Sequence, residues 1–396
     1  MRFFTSAISA AIGVALLTHC SSSNPGSSSL PPSEVPRAES AAGPDATVEY
    51  AYVVDGAPGT GRVSGYAIDA SSGALKQVAL SPFTAGKDPV GIAIDPAGGF
   101  AYVTNAAGSN ISGYKINPSS GALTRLSGSP FAAGKGPSAV AMDPAGRFAY
   151  VANADSYTLS AYTINASTGG LTQVFGSPYK TGKVPVGVAV DPTGKFVYVA
   201  NEVSNTVSAY QINASTGALK PVSGSPFTAG DEPRGVAIDP KGSYVYVPNY
   251  DSNNVSAYAI NASTGALTHL IGSPYAAGGN PFDVVVDPAG RFVYVPNYGS
   301  NNVSAYSIDG SGGALSPVSG SPFSDPGPTP GFVAVDPTDQ FAYVTNYTPN
   351  DAFAYTINAS DGALMPVTGS PFATGDGPLG IATCRVTSGK CIPPPL

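Results

Sequence analysis

A unit of about 48 residues recurs almost unchanged from residue 50 to residue 382, and no other feature limits the possible folds so strongly. One copy reads P-x-G-V-A-V-D-P-x-G-x-F-V-Y-V-x-N, then an Asn/Ser-rich loop, then V-S-A-Y-x-I-N-A-S-T-G-A-L, then x-x-V-x-G-S-P-F-x-A-G. The aromatic-rich run ends at Asp55, Asn105, Asn153, Asn201, Asn249, Asn297 and Asn346. Each copy carries four strand signals separated by turn signals. In the third complete copy these are strand A (186–191), strand B (196–201), strand C (206–212) and strand D (218–222). Asp191-Pro192-Thr193-Gly194 joins A to B as a type I turn, with proline presetting the second position. Four antiparallel strands per repeat of this length make a propeller blade.

The two ends of the repeat array predict how the ring closes. The first copy begins at strand B, and the last fragment, Leu379-Gly380-Ile381-Ala382, is a strand A with no B, C or D after it. The C-terminal strand is therefore expected to complete the N-terminal blade, which removes exposed sheet edges. The predicted fold is an all-β, seven-bladed propeller over residues 48–384, followed by a tail over 385–396. Composition agrees: 48 Gly, 38 Pro, 22 Tyr and 11% charged residues suit short strands and tight turns rather than helices. There is no Trp, so this is not a WD40 array.

A net charge of −7 has the wrong sign for nucleic acid, which needs a basic surface to release counterions. No stretch of the repeat body is long and apolar enough to span a bilayer. The N-terminus is different in kind. Arg2, a mostly apolar run over 3–17 and then Thr18-His19-Cys20 form a secretory signal over residues 1–20. Cys20 is placed as in a bacterial lipobox, although His19 stands where that pattern has a small residue. Residues 21–47, rich in Ser, Pro, Gly and Ala, form a linker that cannot build a core. The expected location is the cell envelope, with the membrane reached only through a lipid on Cys20. Cys384 and Cys391 are expected to pair in that oxidising compartment. No histidine lies near them, so zinc is not expected there.

Tyr102-Val103-Thr104-Asn105 and Tyr343-Val344-Thr345-Asn346 spell YVTN, and related forms stand at Tyr150, Tyr198, Tyr246 and Tyr294. Residues 48–384 thus resemble the YVTN-repeat propellers of the lactonase-like family, which includes 6-phosphogluconolactonase-type and muconate-cycloisomerase-type members. The resemblance implies the fold and offers lactone ring opening as an activity. The matching residues belong to turns and strands, so activity must be argued from a site. The cycloisomerase-type members use Arg, Glu and His at the channel mouth. Here Arg234 with Glu202 and Glu232 are loose analogues, and the histidine is missing. His269 sits in an outermost strand D, away from any mouth. A phosphosugar lactone is a cytoplasmic metabolite and fits an exported chain poorly.

Propeller geometry places the D–A and B–C loops on one face around the channel. There the copies diverge: the position before the glycine of strand A reads Val90, Ser138, Val186, Arg234, Phe282, Pro330 and Leu379. Lactone hydrolysis needs a base for water and a cation for the developing oxyanion, which points to Glu202 or Glu232 with Arg234. Lys87, Lys135, Lys183, Tyr250 and Tyr298 are the candidate ligand-binding residues on the same loops. The repeated Asp-Pro carboxylates, from Asp95 to Asp336, read as turn residues. Two functions follow: a hydrolase of a sugar or related lactone, or a non-catalytic surface module binding a carbohydrate or protein. A monomer without metal or cofactor is expected; calcium among the Asn/Asp-rich B–C loops is the weaker alternative.

Overall fold

In the computed structural model, residues 48–59, 61–325 and 327–394 are described. The signal segment, Cys20 and the linker lie outside them. The described residues form seven antiparallel sheets. Blade 4 shows the plan: strand A is Pro185–Val190, B is Phe196–Asn201, C is Thr206–Ile212, and they pair in that order. Asp191 shapes the A–B turn, its Oδ1 accepting the N–H groups of Lys195 (2.7 Å) and Phe196 (2.6 Å). The Asp-Pro carboxylates are turn residues, as expected.

Two boundaries differ from expectation. Strand A starts one residue earlier and stops before Asp191. Strand D is not one run over 218–222 but two pieces, Leu219–Pro221 and Phe227–Thr228, which pair opposite ends of strand C. Gly224-Ser225-Pro226 bulges out between them. Ser225 makes the break tolerable, because its hydroxyl accepts the Ala209 N–H (2.9 Å) that a continuous strand would have bonded. The equivalent serine does the same in every blade, from Ser81 on Gly65 to Ser370 on Ala354.

The ring closes as the repeat phase requires. Strand A of blade 1 is Pro378–Thr387, paired with Glu49–Asp55. The expected tail from 385 is a correction: strand A runs on to Thr387, and Lys390–Ile392 folds back on it. A disulfide joins Cys384 and Cys391 across this hairpin.

The apolar cores lie between blades. Phe148, Tyr150 and Val174 of blade 3 pack with Val190, Val197 and Val199 of blade 4, and such clusters repeat around the ring. Tyrosines latch blade to blade. The strand-B tyrosine donates to a glycine carbonyl in the next blade's C–D turn, as Tyr102 does to Gly169 (2.8 Å) and, across the closure, Tyr343 to Gly73 (3.0 Å). The strand-C tyrosine bonds backward, as Tyr114 does to Thr84 of blade 1 (2.6 Å). The tyrosine of the YVTN run is therefore a structural residue. Inside the ring, strands A line an apolar channel of about 300 Å³, completed on the A–B turn side by Pro288, Pro393 and Pro394.

Candidate functional site

The D–A and B–C loops do share one face, because they are bonded to each other. The first residue of each B–C loop donates its N–H to the residue just before the proline of strand A. Glu202 thus bonds Val184 (2.9 Å), Tyr250 bonds Glu232 (2.9 Å) and Tyr298 bonds Asn280 (2.9 Å). The accepting residue has positive φ in every blade; Glu232, at 53°, shares this with Asp88, Val184, Asn280 and Thr329. The left-handed turn at Glu232 is thus a property of the repeat.

Blades 5 and 6 depart from the plan. Their strands A shrink to Ala237–Ile238 and Val285–Val286, while single bridges hold Pro233 to Asn249 and Pro281 to Asn297. The cause is legible one strand away. Pro248 and Pro296 occupy strand B where Thr104, Ala152, Ala200 and Thr345 stand elsewhere. Proline has no N–H to give, so the A–B ladder breaks there. Arg234 and Phe282 instead donate their N–H groups to the Pro248 and Pro296 carbonyls (3.0 and 2.9 Å). The strand entries carrying the divergent residues are thereby released from regular pairing.

Arg234 is the centre of what these loops assemble. It is only 8% exposed, and its Nη2 lies 3.3 Å from Glu202 Oε1 and 3.3 Å from Glu232 Oε2. Its guanidinium carbon sits 4.5 Å from the Tyr250 ring centroid and 5.1 Å from that of Phe282. The rings continue outward: Tyr298 lies 6.2 Å from Tyr250 and 6.0 Å from Phe282, and Phe332 lies 5.4 Å from Phe282. Glu202 is 5% exposed. Burial pushes its carboxyl above the ordinary range; Arg234 pulls it down, while Glu232 and Asp251 push it up. Burial also raises the Tyr250 and Tyr298 phenols, against the pull of Arg234.

Of the residues expected from sequence, the structure brings together Glu202, Glu232, Arg234, Tyr250 and Tyr298. Lys87, Lys135 and Lys183 are exposed on the loops entering blades 2, 3 and 4, and do not belong to that cluster. The B–C loops of blades 2 and 3 begin with small residues, Ala106 and Ala154, where blades 5 and 6 have Tyr250 and Tyr298. Among the described residues no group of three or more His, Cys, Asp or Glu is arranged to hold a metal.

The register also corrects the divergent column. Pro330 pairs with Asn346 as Pro89 does with Asn105, so Gly331, not Pro330, is the counterpart of Arg234. The next column then reads Gly91, Ala139, Gly187, Gly235, Asp283, Phe332 and Gly380. Small residues are required there in most blades: a Cβ on Gly187 would lie 2.4 Å from the Arg234 carbonyl of the neighbouring strand. Asp283 and Phe332 break that rule, and the sequence reading missed both. Asp283 Oδ2 accepts the Val333 N–H of blade 7 (3.2 Å), and its Oδ1 lies 2.8 Å from where a Cβ on Gly235 would be. Burial raises its carboxyl to about 6, with N–H bonds from Val284 and Val333 pulling the other way.

No curated protein matches the sequence. Solved structures with the same fold include a 6-phosphogluconolactonase-like protein of Bacteroides fragilis NCTC 9343 (TM-score 0.75, 17% identity, 88% of this chain and 100% of that one). The periplasmic gluconolactonase of Pseudomonas aeruginosa is comparable (TM-score 0.71, 18% identity, 85% and 99%). A protein from Lactobacillus plantarum is similar at 21% identity (TM-score 0.71, 85% and 99%). At these identities the likeness is one of fold. The family model described as "Lactonase, 7-bladed beta-propeller" matches residues 41–229, 224–285 and 275–378, and the chain belongs to that family.

Proposed function

We propose that this propeller opens a sugar lactone, or a related lactone, at the channel mouth outside the cytoplasm. The observation that carries the reading is the buried Arg234. It is held between two carboxylates beside a wall of rings, in a strand-A column where otherwise uniform repeats diverge. Tyr250, Tyr298 and Phe282 offer flat apolar faces for a pyranose or furanose ring. The positive charge of Arg234, in a poorly solvated setting, stabilises the oxyanion that forms when water adds to the lactone carbonyl. A carboxylate at the mouth takes the proton of that water and later returns it to the ring oxygen as the C–O bond breaks.

Purified mature protein offered a panel of aldonolactones, with ring opening followed directly, should show turnover that falls by roughly 100-fold or more in Arg234→Ala. Turnover by that variant at the wild-type rate would remove the site. The second reading, a carbohydrate-binding module, draws on the continuous ring array and on the fact that both glutamates are already paired with Arg234. It predicts saturable binding of the same sugars without turnover.

Export and anchoring through Cys20 belong to the same proposal. The signal-like N-terminus supports them, as does the periplasmic setting of the Pseudomonas aeruginosa protein of the same fold. Labelled palmitate incorporation that persists in Cys20→Ser would refute the anchor.

A further inference from the structure

Resting on the lactonase reading, we propose that Asp283 is the general base of the site and that Glu202 is a positioning residue that holds Arg234. Glu202 is nearly sealed from solvent, and among the described residues it is ion-paired to the Arg234 guanidinium. A carboxylate so committed would have to abandon a buried cation before it could accept a proton, and an unpaired buried cation is costly. Glu232, on the outer side, pairs with the same nitrogen.

Asp283 differs in each respect. It stands where four of the seven copies have glycine and a fifth has Ala139. It is on the strand entry that Pro296 frees from the ladder, next to Phe282 of the ring wall and against Gly235, the neighbour of Arg234. Its carboxylate is held by backbone N–H groups, from Val284 and Val333, and among the described residues it makes no ion pair. It is partly exposed, next to Val284, which lines the apolar channel. A carboxylate raised toward neutrality by burial, oriented by peptide groups and not neutralised by a cation is suited to general-base work.

In the step assigned to it, Asp283 accepts a proton from water as the water oxygen bonds to the lactone carbonyl carbon. The tetrahedral intermediate collapses with cleavage of the ring C–O bond. Protonated Asp283 gives the proton to the departing alkoxide, leaving a hydroxy acid and the original carboxylate.

Asp283 could instead serve only as a bracket between the strands of blades 6 and 7, and the variants separate the two roles. Asp283→Asn keeps an acceptor for the Val333 N–H but cannot take a proton. Asp283→Gly restores the residue that most other copies carry. With D-glucono-1,5-lactone and related aldonolactones, both variants should lose roughly 100- to 1,000-fold in kcat, with KM within about threefold. Added formate, a small replacement base, should restore part of the rate in Asp283→Gly. Glu202→Gln should instead raise KM, and formate should not help it. If wild type turns over and Asp283→Asn stays within threefold of it, Asp283 is not the base, although the hydrolase reading stands. A loss in both variants with a lowered melting temperature and no formate rescue leaves only the bracket. If wild type opens no lactone, the hydrolase reading and this assignment fall together.

Discussion

Arg234 illustrates how a single residue can be both a functional candidate and a structural dependency. Its charge lies beside two carboxylates, one of them almost fully buried, so truncating it leaves Glu202 ionised without a partner or forces it to take up a proton. Arg234→Ala is expected to cost about 3 kcal/mol of unfolding free energy, since breaking one side of a buried pair costs far more than the pair itself is worth. The double variant Arg234→Ala/Glu202→Gln should recover much of that loss, and a denaturant double-mutant cycle measures the coupling. Additive losses would show that the two side chains are not energetically paired. At this scale much of the site was legible, because repeats supply their own control: where seven copies agree the residue serves the fold, and where they differ it is free to serve something else. Asp283 escaped because the comparison was read in one column only, and Phe332 also because Pro330 shifted that column by one residue in blade 7. Strand pairing, not spacing, established the true register.

Among the elements, strand A of blades 5 and 6 is the most informative departure. The expected four-strand blade is present, but Pro248 and Pro296 shorten its innermost strand just where the site residues enter. Pro248→Thr would place in blade 5 the residue found at Thr104 and Thr345, and would restore a donor to the ladder. Amide exchange over residues 234–236 should slow, and lactone turnover or sugar binding should weaken as Arg234 is drawn into regular pairing. Unchanged exchange there would mean that the proline is not what holds the entry open. The split strand D was not legible in the same way. G-S-P signals a break, but only the tertiary structure shows the chain resuming against the other end of strand C, with the serine hydroxyl filling the gap.

Across the whole molecule, closure brings ionisable groups into buried positions that differ from their unfolded surroundings. Glu49, on the first strand, is 1% exposed and lies near Arg385 of the closing strand. Burial and the charge of Asp336 raise its carboxyl to about 7, with Arg385 opposing. Burial raises Asp325 to about 7 as well, against N–H bonds from Gly327 and Asn346. Both values lie above those of the unfolded chain, so the folded state holds these protons more tightly. Their contribution is complete below the unfolded values and is lost as pH rises through 7. The urea midpoint should therefore fall from about pH 5 to about pH 8, and Glu49→Gln should flatten part of that fall. A midpoint that rises over this range, or the same slope in the variant, would contradict the assignment. The blade count and the joining of the two chain ends could be read from sequence because they follow from local signals repeated at constant phase, and strand and turn propensities act over a few residues. The pairing of Arg234 with Glu202 and Glu232, the ring wall above it and the carboxylate of Asp283 beside Gly235 could not. Apart from Glu232, which shares the Arg234 loop, these contacts join neighbouring blades, and contacts between residues 30 to 50 apart are set by how closely the inner strands pack around the axis, which no local pattern encodes.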